Sequence, residues 1–106
     1  MVLAAIESGP NHLSAVTYWE VVLKSAKGNL DVGDARNWWR NALSDLAATG
    51  LSLSASHVAQ IYELPTFHRD PFDRALIAQA IAEGLVLVTT DQLMPKYETG
   101  QFRVLR

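Results

Sequence analysis

The sequence predicts a three-layer α/β fold in which helices flank a parallel β-sheet. Short apolar segments alternate with longer segments of helical periodicity, which is the order typical of parallel sheets. Residues 85–88 are a continuous apolar run, as a strand covered on both faces requires. The helical segment before this run is apolar almost all round, which is typical of a helix packed in the middle of a layered domain.

Length and composition limit the class of protein. With 106 residues, of which 49% are apolar and 19% charged, the chain fits one globular domain with its own core. A net charge of -2 gives no global attraction to nucleic acid, so contact with phosphates would need a local cluster of Lys and Arg. The absence of cysteine excludes disulfides, thiolate metal sites and a Cys nucleophile, and it fits a reducing cytoplasm. The sequence also shows no signal-peptide pattern and no segment long enough to span a bilayer.

The first segment, residues 2–6, is predicted to be the end of a helix. Gly9, Pro10 and Asn11 follow it. A residue in left-handed geometry together with a proline stops a helix. Residues 12–16 are then a candidate strand.

A helix is predicted over residues 18–27. Thr17 and Glu20, three residues apart, form the capping-box pattern before an apolar run. Apolar side chains recur at spacings of three and four on one face, and charged side chains gather on another. The apolar face consists of Trp19, Val22, Leu23 and Ala26, and the charged face of Glu20, Lys24 and Lys27.

A second helix is predicted from about residue 32 to residue 50, after Gly28 and Asn29 end the first. Residues 51–53 alternate like a short strand. The apolar stripe of this second helix consists of Ala35, Trp39, Ala42, Leu43 and Leu46.

A third helix is predicted to begin at a serine cap and to end before a proline. Either Ser54 or Ser56 supplies the cap, and the helix runs to about Leu64. Pro65 ends it, because proline disfavours helical geometry at the residue before it.

The central helix has clear signals at both ends. Asp70 at the cap and Pro71 at the first helical position start it, and Gly84 stops it. Strands follow at residues 85–88 and 103–105.

Three acids are predicted to lie at the carboxyl edge of the sheet, where parallel α/β folds bind ligands. Glu20 follows the first candidate strand, Asp73 lies in the first turn of the central helix, and Asp91 lies just past Val88. Carboxylates without His or Cys form a hard-oxygen site, which suits Mg²⁺ or Mn²⁺ and phosphoryl transfer. We expect the three acids to converge on one point.

Each acid also has an explanation that involves no chemistry. The capping box accounts for Glu20, a favourable interaction with the helix dipole accounts for Asp73, and capping of the next turn accounts for Asp91. Asp70 is interpreted as structural, because the helix start uses its side chain on backbone amides.

Four cations are candidates for holding a phosphate backbone near these acids. Lys24 and Lys27 lie one and two turns after Glu20, which aims them at the same crevice, although a solvated helix face is the alternative. The other two candidates are Arg69 and Arg74.

The tryptophans and histidines are not assigned to the site. Trp19 and Trp39 fall on apolar helix stripes, and Trp38 is open between a core position and a partner contact. The histidines show no ligand spacing and receive no role; they are His12, His57 and His68.

Three segments resemble the motifs of one family. Residues 13–30, with the sequence LSAVTYWEVVLKSAKGNL, resemble the second-acid segment of VapC-type PIN-domain toxins. Residues 68–80, HRDPFDRALIAQA, resemble the third-acid motif, and residues 87–91, LVTTD, resemble the fourth. Order and spacing agree as well, so the resemblance covers essentially the entire chain.

The resemblance implies a function and a site. It implies that Glu20, Asp73 and Asp91 are the catalytic metal ligands, and that the hydroxyl of Thr89 or Thr90 assists beside Asp91. The family's activity is Mg²⁺-dependent RNA cleavage, in which the acids hold metal ions that activate water for attack on a phosphodiester. An antitoxin protein normally blocks the site.

The chain departs from the family pattern at its start. Family members begin with a strand ending in an Asp-Thr pair whose Asp is the first metal ligand, and Met1 aligns with the middle or end of the first helix. We therefore expect a single PIN-like domain over residues 1–106 that is N-terminally incomplete and lacks the usual first, central strand. Either the remaining strands close on each other, or a neighbouring chain supplies the pairing. The second route, a homodimer with exchanged or shared strands, is favoured.

Two hypotheses about function result. The first is a toxin-type Mg²⁺- or Mn²⁺-dependent endoribonuclease of a toxin-antitoxin system, with RNA as substrate and an antitoxin as partner. The second is a non-catalytic PIN module that binds an antitoxin or a sister chain. The predicted acidic site supports the first, and the unmatched first Asp supports the second.

Overall fold

The computed structural model describes residues 3–5, 11–65, 70–88 and 103–105, the first and last of these ranges as backbone only. They form five strands and four helices, in the order β1 (Leu3–Ala5), β2 (Asn11–Ser14), α1 (Ala15–Ala26), α2 (Ala35–Asp45), β3 (Ala48–Leu51), α3 (Ala55–Tyr62), α4 (Pro71–Glu83), β4 (Val86–Val88) and β5 (Arg103–Leu105). Helices flank one sheet, so the predicted α/β fold class is confirmed.

The sheet has the strand order β3-β2-β1-β4-β5. β2 is parallel to β3, and β4 is parallel to β5, whereas β1 is antiparallel to both β2 and β4. Because β2 and β4 both oppose β1, they run in the same direction as each other. Four strands are therefore parallel, and their carboxyl ends lie at one edge of the sheet.

The central strand of the sheet was predicted wrongly. Leu3–Ala5 is strand β1, where the sequence predicts the end of a helix over residues 2–6. Ala4 pairs with His12 on one side and with Leu87 on the other. Such a short apolar run has no periodicity that separates helix from strand, and pairing on both sides decides in favour of the strand. The same chain thus fills the expected gap between β2 and β4.

Helix α1 begins earlier than its sequence pattern predicts. Ser14 is the N-cap, and its hydroxyl accepts a hydrogen bond from the backbone N–H of Val16 at 3.0 Å. The predicted capping box of Thr17 and Glu20 is therefore wrong, because Ser14 satisfies the helix end three residues upstream. Thr17 is instead buried inside the helix.

Helix α2 packs against α1 and β3, and the indole ring of Trp39 takes part in both contacts. None of its residues is fully buried. Trp39 stacks on Tyr18 of α1, with ring centroids 4.7 Å apart and ring planes 8° from parallel. A Cβ on Gly50 of β3 would stand 3.2 Å from the same indole, so a larger residue there would displace Trp39 by a few tenths of an ångström. The helix ends at Asp45 and β3 begins at Ala48, whereas the predicted helix extended to residue 50 and the strand covered residues 51–53.

Helix α4 is the centre of the core, as predicted. Asp70 caps it, Pro71 opens it, and Gly84 ends it with a left-handed φ of 66°. Of the two serines predicted as the cap of α3, Ser54 caps the helix, which packs against α4. The apolar cluster around α4 consists of Val16, Leu64, Ala75, Leu76, Ile77, Ala78, Ala80, Leu85 and Leu87.

A chain of buried polar side chains joins α4 to its neighbours. The hydroxyl of Ser14 donates to Gln79 Oε1 at 2.5 Å, and Gln79 Nε2 donates to the carbonyl of Ser52 at 3.3 Å. His57 Nδ1 accepts from the backbone N–H of Ser54 at 3.0 Å, so Nε2 carries the proton and donates to Glu83 Oε1 at 2.7 Å. Buried polar groups must find such partners, and here they tie β2, α3 and α4 together.

None of the helices in the described part of the chain is long and apolar enough to cross a membrane.

Candidate active site

A groove of about 370 Å³ lies between α1 and the start of α4. The α1 side includes Glu20 and Lys24, and the α4 side includes the cap Asp70 and the ring of Phe72. Acidic and basic side chains therefore meet at one solvent-accessible place. The complete lining is Glu20, Leu23, Lys24, Lys27, Asn29, Asp70, Pro71 and Phe72.

Glu20 lies in the second turn of α1, with its side chain 20% exposed. Its Oε2 is 3.3 Å from the ammonium of Lys24, one turn along the helix. Because Ser14 caps the helix, Glu20 is not used in the capping box that would have explained it without chemistry. Its carboxylate is directed to the groove and to Lys24.

Asp73 lies in the first turn of α4 and is half-buried. Its backbone N–H donates to Asp70 Oδ1 at 3.4 Å, and Phe72 N–H donates to the same oxygen at 2.9 Å. Asp70 is thus the helix cap that the sequence predicts, although it also lines the groove.

The structure brings the helices of Glu20 and Asp73 into contact. Trp19, the neighbour of Glu20, meets Phe72, the neighbour of Asp73, with ring centroids 4.8 Å apart and ring planes at 80°. α1 and α4 pack against each other along this line. Both predicted acids therefore belong to facing segments of the same helix pair.

The candidate cations separate into two groups. Lys24 and Lys27 line the groove together with Glu20, as their helical spacing predicts. Arg74 is not part of the groove lining, and its guanidinium donates to the carbonyls of Pro65 at 2.8 Å and Ile61 at 3.3 Å. These bonds hold the end of α3 against α4, which is a structural role that the phosphate-binding prediction did not include.

The remaining predicted site residues lie outside the described residues. They are Arg69, Thr89, Thr90 and Asp91. β4 ends at Val88 and β2 ends at Ser14. Because the two strands run in the same direction, both ends lie at the same edge of the sheet. Val88 therefore lies at the edge at which α1 begins.

Within the part of the chain that the structure describes, no three His, Cys, Asp or Glu residues are grouped to hold a metal ion. Two of the predicted acids, Glu20 and Asp73, are inside that part, and Asp91 is not. The three-acid metal site therefore stays a prediction.

The sequence analysis missed an aromatic contact beside the groove. Trp19 was placed on the apolar stripe of its helix, yet it is 54% exposed, so its core assignment is wrong. Phe72, which was assigned no role, lines the groove and contacts Trp19. A single helical stripe cannot show which of its members a neighbouring element covers, so the sequence contains no signal for this exposure.

The comparison with known families agrees with this architecture. The family described as PIN domain matches residues 2–99, which is nearly the whole chain. No curated protein sequence matches the chain. PIN domains are in general nucleases that depend on divalent metal ions. The chain, with its α/β sheet flanked by helices and its matched residues 2–99, belongs to the PIN domain family.

Proposed function

We propose that this protein is a VapC-type toxin of a toxin-antitoxin system, an endoribonuclease that depends on Mg²⁺ or Mn²⁺. The observation that supports the proposal most directly is the groove of this PIN domain, in which Glu20 stands beside Lys24 and Lys27. A carboxylate that can bind a cation and ammonium groups that can bind phosphate are the two parts that a phosphodiester substrate requires.

The chemistry of the donor set fits the metal. Glu20 and Asp73 offer carboxylate oxygens on facing helix segments, and carboxylates are the ligands that Mg²⁺ and Mn²⁺ prefer. We propose that these two acids and Asp91 hold the metal. When bound, Mg²⁺ supplies Lewis-acid stabilisation of the negative charge that develops on the phosphodiester.

The other side chains bind and orient the substrate in this proposal. Lys24 and Lys27 hold phosphates of the RNA backbone along α1, and Lys24 also balances the charge of Glu20. The hydroxyl of Thr89 or Thr90 assists beside Asp91. An antitoxin regulates the enzyme by covering the groove.

One observation favours a second candidate function, that of a non-catalytic PIN module that binds an antitoxin or a sister chain. On α3, Val58 and Tyr62 lie one helical turn apart, and Tyr62 is 92% exposed. Large apolar side chains that adjoin each other on a surface are typical of contacts with a partner. A homodimer formed through this face is compatible with either function.

Cleavage of a labelled RNA in Mg²⁺ or Mn²⁺ tests the proposal, with Asp73→Asn as the variant and Asp45→Asn as its control. Asp45 is an exposed acid on α2, away from the groove. Asp73→Asn should lower the rate by on the order of 100-fold, because a bound metal supplies several kcal/mol of transition-state stabilisation. Asp45→Asn and the wild type should cleave equally, and EDTA should stop both.

Undiminished cleavage by Asp73→Asn would overturn the assignment of the metal site. Absence of cleavage by a folded wild type, in both metals, would instead favour the non-catalytic module. Far-ultraviolet circular dichroism of each variant establishes that the chain is folded.

A further inference from the structure

Trp19 contacts Phe72, which lines the groove, and Trp19 is far more exposed than tryptophan usually is. Trp19 is 54% exposed, whereas Trp is on average a highly buried residue. Phe72 holds the indole by an edge-to-face contact, with ring centroids 4.8 Å apart. This contact orients Trp19 while more than half of its surface stays in solvent.

Phe72 connects Trp19 to the charged part of the groove. Trp19 directly precedes Glu20 in α1, and Phe72 lines the groove opposite Lys24 and Lys27. Trp19 and Lys27 are separated by two turns of the same helix, and Lys24 lies between them along the axis. A ligand that reaches from Trp19 across Phe72 into the groove would meet a flat apolar ring first and the positive charge of Lys24 and Lys27 further along.

An RNA strand with an unpaired base matches this arrangement better than a duplex does. Base stacking on an aromatic side chain requires a base that is free of its neighbours, and cations beside the ring track the phosphate backbone. In an A-form duplex the bases are stacked on each other, and only phosphates and hydroxyls would reach the groove.

We propose that Trp19, oriented by Phe72, is a base-stacking platform that binds an unpaired base of single-stranded RNA and so selects single-stranded over double-stranded substrates. The inference rests on the RNA substrate proposed above and adds a specificity-determining residue to it. Trp19 acts on the strand through its ring, and Lys24 and Lys27 act on the same strand through its phosphates.

Binding in EDTA, where no cleavage occurs, tests the platform separately from the nuclease activity. Fluorescence anisotropy of a labelled single strand and of a duplex is measured with wild type, Trp19→Ala, Trp19→Phe and the control Tyr62→Ala. Trp19→Ala should weaken single-strand binding by about 5- to 150-fold, the range that one base stacked on an aromatic side chain contributes. Trp19→Phe should retain most of the affinity, and duplex binding should not change.

An abasic oligonucleotide sharpens the test. If Trp19 stacks on a base, one abasic position should weaken binding to the wild type and should have little further effect on Trp19→Ala. Tyr62→Ala, which removes an even more accessible aromatic from α3, should bind all these RNA ligands like the wild type.

Several results would overturn the proposal. They are equal single-strand affinity of wild type and Trp19→Ala, equal losses for single strand and duplex, and no binding of single-stranded RNA by the wild type. Loss of self-association in sedimentation by Trp19→Ala, with RNA affinity unchanged, would assign the ring to a protein interface instead. Absence of cleavage in Mg²⁺, with Trp19-dependent binding intact, would count against the nuclease function alone.

Discussion

The pair of helices α1 and α4 has an inner side, where polar groups are buried, and an outer side, where they line a groove. On the inner side, Ser14 at the start of α1 bonds to Gln79 of α4, and both are buried. On the outer side, Glu20 and Lys24 face a groove that is open to solvent. Both sides join the same two segments, yet only the outer one can meet a ligand.

This difference distinguishes the side chains that stabilise the fold from those that can bind a substrate. Polar side chains that are buried and hydrogen-bonded to each other specify how helices pack. If one partner is removed, the other stays buried without a hydrogen bond to protein or water, which costs free energy. Charged side chains in a groove contribute little to stability, since solvent screens a pair such as Glu20 and Lys24, in which the Lys24 side chain is 56% exposed. Substitutions on the inner side should therefore change the free energy of unfolding, and substitutions on the outer side should change binding or cleavage.

The largest expected effect on stability belongs to Gln79→Leu. This change leaves the hydroxyl of Ser14 and the carbonyl of Ser52 without the Gln79 partner. The free energy of unfolding in urea should fall by about 1–3 kcal/mol, the cost of an unsatisfied buried polar group.

A double-mutant cycle with Ser14→Ala isolates the bond itself. The two substitutions should be less than additive, because either one already breaks the bond between Ser14 and Gln79. If the two losses of unfolding free energy were strictly additive, Ser14 and Gln79 would not be coupled, which would contradict this account of the inner side.

On the outer side, replacing both Lys24 and Lys27 by Ala should weaken RNA binding and lower its salt dependence. For a single strand, each lost phosphate contact reduces the slope of log affinity against log salt by roughly 0.7. Arg40→Ala, which removes an exposed cation of α2, is the control and should leave the slope unchanged. An unchanged slope in the lysine variant would remove these residues from the proposed site.

The smallest effect concerns Asp34, the N-cap of α2. Its carboxylate accepts hydrogen bonds from the Arg36 side chain and backbone, which lower its pKa from 3.8 to about 2. Because the folded-state pKa is below the unfolded value, the stabilising contribution is complete above about pH 4 and is lost as the pH falls towards 2. The stability difference between wild type and Asp34→Ala, measured by thermal unfolding, should shrink over that interval. A difference that is constant from pH 5 to pH 2 would contradict it.

The sequence predicts elements well where local signals are complete. Asp70, Pro71 and Gly84 mark both ends of α4, and the structure has the helix between them. The helical spacing of Lys24 and Lys27 relative to Glu20 places all three in one groove, as expected. These predictions succeed because their causes lie within a few residues of each other.

The features that the sequence does not predict depend on distant partners. β1 is a strand because β2 and β4 pair with it on both sides, not because of its three residues. The bond between Ser14 and Gln79 joins residues 65 positions apart. Trp19 is 54% exposed although Phe72 of α4 contacts it edge to face, and periodicity within α1 contains no information about α4.

The most direct test measures cleavage and unfolding side by side for Glu20→Gln and Gln79→Leu, with Glu63→Gln as an exposed control outside the groove lining. Glu20→Gln should lower RNA cleavage in Mg²⁺ by on the order of 100-fold. Its free energy of unfolding should change by no more than about 0.5 kcal/mol. Gln79→Leu should lose stability and still cleave RNA at temperatures where it is folded. Two results would contradict the assignment of this groove as the nuclease site. Glu20→Gln could cleave RNA at the wild-type rate, or its cleavage rate could fall only in proportion to its loss of folded protein.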